Sequence, residues 1–340
     1  MTGARDLVAH VRAGRILDDA PALVVLLSGG RDSVALLDVC ATIVGPGHVR
    51  ALHVDYGLRP DSAADAEACA ALCRRLDVEL VVEHSPPPTP AGAPPRVGET
   101  GDGSGTGGGA GADGTAAGNL QAWARDVRYG VGARLAVATP GCLLVAGHTA
   151  SDQAETVLYR LAAAPGRRAL LGMEPRRGLL VRPLLDVSRE ETGAWCAARG
   201  LPWRDDETND SDRFARGRVR NGLLPALRAV HPGAEANVVR TAQLLREEAA
   251  VLDDVVATAL DGNDHIDVEH LALLPSALAR LILRRLAEGA TGALCPRAAR
   301  RLDDVLALRD GALDLGDGAR AEVRAGTLTV TRTPPLAPRD

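Results

Sequence analysis

Residues 28 to 33 read Ser-Gly-Gly-Arg-Asp-Ser, set between the apolar run Leu23 to Leu27 and the helix-like stretch Val34 to Cys40. Two adjacent glycines let a backbone approach an anion and adopt positive φ. The free N–H groups of a following helix then point at the ligand with the helix dipole behind them. Ser28 and Ser33 add hydroxyls, Arg31 a guanidinium, and Asp32 a carboxylate suited to a metal ion. Ser28, Gly29, Gly30, Arg31, Asp32 and Ser33 therefore form a candidate phosphate cradle. It is not a Walker loop, because GxxxxGK[ST] is absent and all 39 basic residues are arginine, so no lysine reaches the outer phosphates.

Other polar residues could add chemistry. His53 and Asp55 close a second apolar run, and Asp152 and Glu155 stand three apart, on one face if the segment is helical. Arg125 and Arg128 share a face in the same way, and guanidinium forks bind phosphate bidentately while staying charged. A basic stretch, with Arg213, Arg216, Arg218 and Arg220, follows the acidic run 205–212. His53 and His148 have no second His or Cys at ligand spacing, which points to hydrogen-bonding roles at strand ends. The six cysteines (40, 69, 73, 142, 196 and 295) form no CxxC and read as buried thiols, and Trp123 and Tyr129 read as core.

These groups need a scaffold that brings them to one edge. Residues 23–27, 49–55, 78–83, 141–146 and 178–186 read as strands. The intervening helices are 61–76, 119–134 with Asn119 as cap, 151–163, and one running from the Ser188 cap to about Arg199. Alternation of this kind implies an α/β, doubly wound parallel sheet, in which ligands bind at the carboxyl ends of the strands. Residues 1–228 are expected to form this domain, interrupted by a Pro/Gly-rich insert at 86–118 that is expected to be disordered. Residues 229–340 are expected to add a linker helix over 235–260, helices over 271–286 and 296–308, and a hairpin over 319–332, together a small α+β domain.

Composition bounds the alternatives. The chain has 340 residues, is 46% hydrophobic and carries a net charge of -5, which argues against indiscriminate nucleic-acid binding but allows a local basic patch. No apolar stretch approaches the roughly 20 residues that span a bilayer, and the N-terminus lacks a signal-peptide layout, so the expected location is the cytoplasm, away from membranes.

SGGxDS after a strand resembles the signature of the PP-loop ATP pyrophosphatases, which split ATP into AMP and pyrophosphate to activate an oxygen. His53-Val-Asp-Tyr-Gly-Leu-Arg-Pro-Asp-Ser62 makes the resemblance more specific, to the tRNA(Ile)-lysidine synthases. Three stretches follow in the same order: Asn119 to Tyr129, Gly147 to Thr156, and Gly172-Met-Glu-Pro with Arg182-Pro-Leu-Leu. Residues 213–221 and the acidic run before them are similar to that family's tRNA-binding segment.

The resemblance implies ATP and Mg2+ as cofactors, and L-lysine and a tRNA(Ile) with a CAU anticodon as partners. It implies an anticodon loop splayed to admit the wobble cytidine. Ser28 to Ser33 and His53 would then bind ATP, and Asp32 and Asp152 the metal. Arg125 and Arg128 would lie over phosphates and base, and Asp55, Asp152 and Glu155 would receive the lysine ammonium. Arg213, Arg216, Arg218 and Arg220 would contact tRNA.

Four departures from the family pattern stand out: Ser151, Gln121, Gly217, and Ala162-Ala-Ala-Pro replacing an Arg-Gly-Thr-like stretch. Ser151 is expected to cap its helix. Two readings stay open beside the ligase: a chain that binds ATP or tRNA without completing ligation, and another PP-loop tRNA-modifying activator. The oligomer is expected to be a monomer, or a homodimer supported by the 238–256 helix.

Overall fold

The computed structural model describes residues 5–58, 62–87, 116–164, 166–204 and 215–334. Most of the insert, 88–115, lies outside the described residues, as do Arg213 and the acidic run 205–212. The chain forms two compact units, one ending at Leu245 and the other beginning at Arg246.

In chain order the first unit runs α1 (Leu7–Ala13), β1 (Leu23–Leu26), α2 (Arg31–Val44), β2 (Val49–Asp55), α3 (Ser62–Leu76), β3 (Glu79–His84), α4 (Ala116–Val137), β4 (Leu143–Val145), α5 (Ala150–Ala163) and α6 (Arg167–Leu170). It continues with β5 (Arg176–Arg177), β6 (Leu180–Val181), α7 (Arg189–Ala198), α8 (Ala215–Arg218), a π turn at Val219–Leu223, α9 (Leu224–Val230) and the long α10 (Ala234–Leu260), within which the two units divide.

The six strands are ordered β3-β2-β1-β4-β6-β5. All neighbours are parallel except the two-residue edge strand β5, which runs antiparallel to β6. Strand order therefore grows outward in one direction from β1 to β3 and in the other from β4 to β6. The crevice at that reversal, between the carboxyl ends of β1 and β4, is where an open α/β sheet takes its ligand.

Period-two alternation sends Leu23, Val25 and Leu27 into a core with α1, α2, α3 and α7, and Val24 and Leu26 into a second core with α4. Helices cover both faces, as the alternating sequence predicts. The six cysteines are buried thiols, also as expected.

The second unit adds β7 (His265–Asp267), α11 (Val268–Leu273), α12 (Ser276–Thr291), α13 (Leu302–Ala307), β8 (Gly311–Gly316), β9 (Ala319–Arg324) and β10 (Thr327–Arg332). Its four strands form an antiparallel sheet ordered β7-β10-β9-β8. The expected 319–332 hairpin is β9 and β10, paired from Thr327↔Arg324 to Arg332↔Ala319. The single helix expected over 271–286 is instead two, because Pro275 draws Leu274 into extended backbone and starts a new helix after itself. Among the described residues no helix is long and apolar enough to cross a membrane.

Candidate active site

The cradle forms because β1 runs straight into two glycines. Gly29 takes φ +84, and Gly30, in extended backbone, caps α2 without a side chain. Ser33 Oγ donates to the Gly30 carbonyl (2.8 Å) and accepts from Ser28 N–H (3.2 Å), tying the turn across its own mouth. On the other side of the crevice Gly147 sits close against the cradle. A Cβ there would stand 3.2 Å from the Asp32 carbonyl oxygen, so a larger residue would press on backbone rather than on a flexible side chain.

α5 is capped by Thr149, whose N–H and Oγ donate to Asp152 Oδ2 at 2.9 and 3.0 Å. Ser151, expected as the cap, lies buried within the first turn of the helix. The helix begins one residue earlier than expected because Thr149 and Asp152 complete the reciprocal box. Asn119 likewise falls inside α4, which starts at Ala116.

Asp152 and Glu155 do share a face, and both meet Arg189, the first residue of α7. Its Nη2 donates to Asp152 Oδ1 at 2.8 Å and its Nη1 to Glu155 Oε1 at 3.4 Å, while Nε lies 3.6 Å from Asp32 Oδ2. The buried Glu155 (2% exposed) also accepts from Arg220 Nε and Nη2 at 2.6 and 3.1 Å. Arg220 is thus turned inward to a carboxylate, while Arg216 donates to Thr156 Oγ1 at 3.3 Å.

Arg189 and Thr192 were not legible as site residues. They are placed by α7 docking on α2, where the buried Asp38 accepts from Trp195 Nε1 (2.9 Å) and pairs with Arg199 (2.6 Å). That docking lets Thr192 Oγ1 donate to Asp32 Oδ1 at 2.5 Å.

The two carboxyls, Asp32 and Asp152, are pushed in opposite directions. Burial raises Asp32 above the usual carboxylate range, helped by the charge of Asp152 and opposed by the Thr192 hydrogen bond and Arg189. Burial also pushes Asp152 upward, but Arg189, His148 and the Thr149 N–H outweigh it and hold that carboxyl low.

Asp55 stands apart at the end of β2. It accepts from Gly57 N–H at 2.9 Å, lies 3.2 Å from His84 Nδ1, and is held below the usual range chiefly by that N–H. His53 is buried, with Nδ1–H donating to the Leu27 carbonyl at 3.0 Å just ahead of the cradle.

α4 brings Arg125 and Arg128 beside the ring of Tyr129, at 5.1 and 5.7 Å from its centroid, and Tyr129 Oη meets His148 Nε2 at 3.5 Å. Trp123 packs edge-on against Tyr56, centroids 5.6 Å apart. Burial, with Arg182, Arg125 and Arg128, pushes the His148 imidazole down to about 3 against the pull of Asp152. The ring is therefore neutral at working pH. As pH falls below about 6.5 the unfolded ring gains a proton that the folded ring refuses until about 3, so this site loses stability over that window. The thermal midpoint of the wild type should fall more steeply between pH 7.5 and 5 than that of His148→Gln; parallel curves would contradict this.

Arg31 Nε, Arg128 Nε and His148 Nδ1 are sealed from solvent without a hydrogen-bond partner. Arg31 belongs to the cradle itself, and an unfilled guanidinium N–H there fits an anionic ligand. Beyond Glu155 on the same helix, a cleft of about 390 Å³ is lined by Tyr159, Ala162, Ala163, Arg218 and Val219, so the alanine departure supplies part of an apolar wall.

A profile of the PP-loop domain family matches residues 5–227. The chain is similar over nearly its whole length to curated tRNA(Ile)-lysidine synthases. It is 39% identical to that of Salinispora arenicola over 96% of this chain and 95% of the relative, and 36% identical to that of Methylobacterium nodulans over 93% and 91%. Among solved structures it is similar to the U34-tRNA thiolase NcsA from Methanococcus maripaludis, at TM-score 0.53 and 17% identity over 71% of this chain and 78% of that one. Likeness at that level concerns the fold.

Proposed function

The chain belongs to the tRNA(Ile)-lysidine synthase family, and from that membership we propose which residues of the site carry the reaction. It is an ATP-dependent ligase whose substrates are tRNA(Ile), lysine and ATP. The acceptor is the wobble cytidine of the CAU anticodon. Its carbonyl oxygen attacks the α-phosphorus of ATP and pyrophosphate leaves. The lysine ε-amine, having shed a proton, then attacks the activated ring carbon, and AMP departs with the oxygen.

Ser28 to Ser33 hold the triphosphate on backbone N–H groups and hydroxyls, and His53 fixes the strand end behind them. Arg125 and Arg128 neutralise charge gathering on the α-phosphate, the donor-rich arrangement that such displacements require. Asp152, taken up by the helix cap and the metal, and Glu155, 2% exposed and engaged by Arg220 and Arg189, have no oxygen left for the lysine ammonium. Asp55, held below the usual range, binds that ammonium in preference to taking its proton.

Two carboxylates plus phosphate oxygens is the donor set magnesium commonly takes. Among the described residues no group of three His, Cys, Asp or Glu could hold a metal by itself. Asp32 and Asp152 would be the protein ligands, and the ion would supply charge neutralisation at the phosphates.

The observation that carries this reading is that the glycine cradle between β1 and α2 meets Asp32 of α2 and Asp152 and Glu155 of α5 around Arg189 of α7, while Arg125 and Arg128 of α4 act on His148, next to Gly147 at the cradle. Its test is pyrophosphate release from ATP with CAU-anticodon tRNA(Ile) in the absence of lysine. Release should require the wobble cytidine, and release that persists when that base is changed would overturn the assignment.

Of the arginines expected to touch tRNA, Arg218 on α8 borders the open cleft, whereas Arg220 serves Glu155. Arg218→Ala should weaken tRNA binding and reduce the log–log salt slope by about 0.7 to 0.9. Arg220→Ala should lower turnover with the slope unchanged. Salt titration of tRNA affinity for both variants checks this, and equal slopes would refute the division.

A further inference from the structure

Arg189 reaches all three carboxylates, and two of the oxygens it reaches are those left over by the capping and docking bonds. Asp152 Oδ2 is committed to the α5 cap by two hydrogen bonds, which leaves Oδ1 facing Arg189 Nη2 at 2.8 Å. Asp32 Oδ1 takes the Thr192 hydroxyl, which leaves Oδ2 facing Arg189 Nε at 3.6 Å. A divalent ion held by Asp32 and Asp152 needs that same pair of oxygens.

We propose that Arg189 is the resident counter-cation of this site: it gathers Asp32, Asp152 and Glu155 in the nucleotide-free enzyme and yields the first two to the divalent ion that arrives with ATP. The inference rests on Asp32 and Asp152 being the metal ligands, as proposed above.

The grip is uneven, 2.8 Å to Asp152, 3.4 Å to Glu155 and 3.6 Å to Asp32, so the ion has to displace one short hydrogen bond and one loose ion pair. Only the Asp152 contact has the length of a strong charge-assisted hydrogen bond, and the Asp32 contact is a loose ion pair. The Arg189 side chain is 21% exposed, and Glu155 remains as its tether. Arg189 is also the first residue of a helix, where the dipole disfavours a cation. The carboxylates, not the helix, hold it there. Arg189 is a positioning residue in this scheme, because it acts through Asp32 and Asp152.

The test is Mn2+ titrated into the nucleotide-free full-length protein and followed by electron paramagnetic resonance. Removing a unit charge a few ångströms from the ligand oxygens in Arg189→Met should tighten Mn2+ binding about tenfold or more. Adding Asp152→Asn in that background should abolish the gain. Arg189→Gln keeps a donor for Asp152, is the safer variant for folding, and should show the same gain. Affinity unchanged in the neutral variants, or a gain that survives Asp152→Asn, overturns the proposal. Failure of the ligase assignment would appear separately, in pyrophosphate release that ignores the wobble cytidine.

Discussion

Replacing Asp152 by asparagine should lower AMP formation by about 10³-fold while tRNA binding survives. The two oxygens of Asp152 do different work. Oδ2 accepts the Thr149 N–H and hydroxyl that cap α5, and an asparagine carbonyl oxygen can accept both, so the helix start is retained. Oδ1 faces Arg189 at 2.8 Å and is the oxygen assigned to the metal; an amide group there removes the charge and puts donor against donor. The loss should therefore fall on chemistry rather than on folding. AMP release at saturating ATP, lysine and tRNA, alongside a tRNA-binding isotherm, separates the two, and retained turnover would remove Asp152 from the metal site.

Glu155→Ala should cost about 3 to 5 kcal/mol of stability, because removing one member of a buried pair strands the other. Glu155 is the most deeply buried of the three carboxylates and takes two bonds from Arg220 and one from Arg189. Two guanidiniums would lose their common partner at once. A loss of that size should lower Tm by about 10 °C. Deleting both ends, in Glu155→Ala with Arg220→Ala, should be less damaging than the two separate losses added together. Denaturant unfolding of the four proteins in this cycle measures the coupling, and additive losses would show that the pair is exposed in solution.

The parts of the site that were legible are those whose chemistry is local. A strand, two glycines, an Asp and an apolar helix declare the cradle within about a dozen residues. Asp152 and Glu155 declare themselves by helical spacing alone. Arg189 does not, because it lies 37 and 34 residues from Asp152 and Glu155 and meets them only once α7 has docked on α2. A signal was nonetheless present: Ser188-Arg-Glu-Glu191 is a capping box whose first helical residue is basic, against the preference for acids there. Arg220 was legible as basic but not as inward-facing, since charge runs report sign and not direction.

Fold elements followed the same division. The parallel strands were legible as apolar runs. β6 was expected but over the longer span 178–186, whereas β5 and β7 were not, because two or three residues are too few to show a period and pairing with a neighbour decides them. The break at Pro275 required weighing a single residue against an otherwise continuous apolar pattern.

The central claim is that this crevice joins lysine to one base of one tRNA. Its most direct test is transfer of radiolabelled lysine to tRNA(Ile) bearing a CAU anticodon, with ATP and magnesium, compared with the same tRNA changed at the wobble cytidine. Label should enter the first RNA and not the second, with one AMP released per lysine incorporated. AMP release without label in the RNA would contradict the ligase assignment.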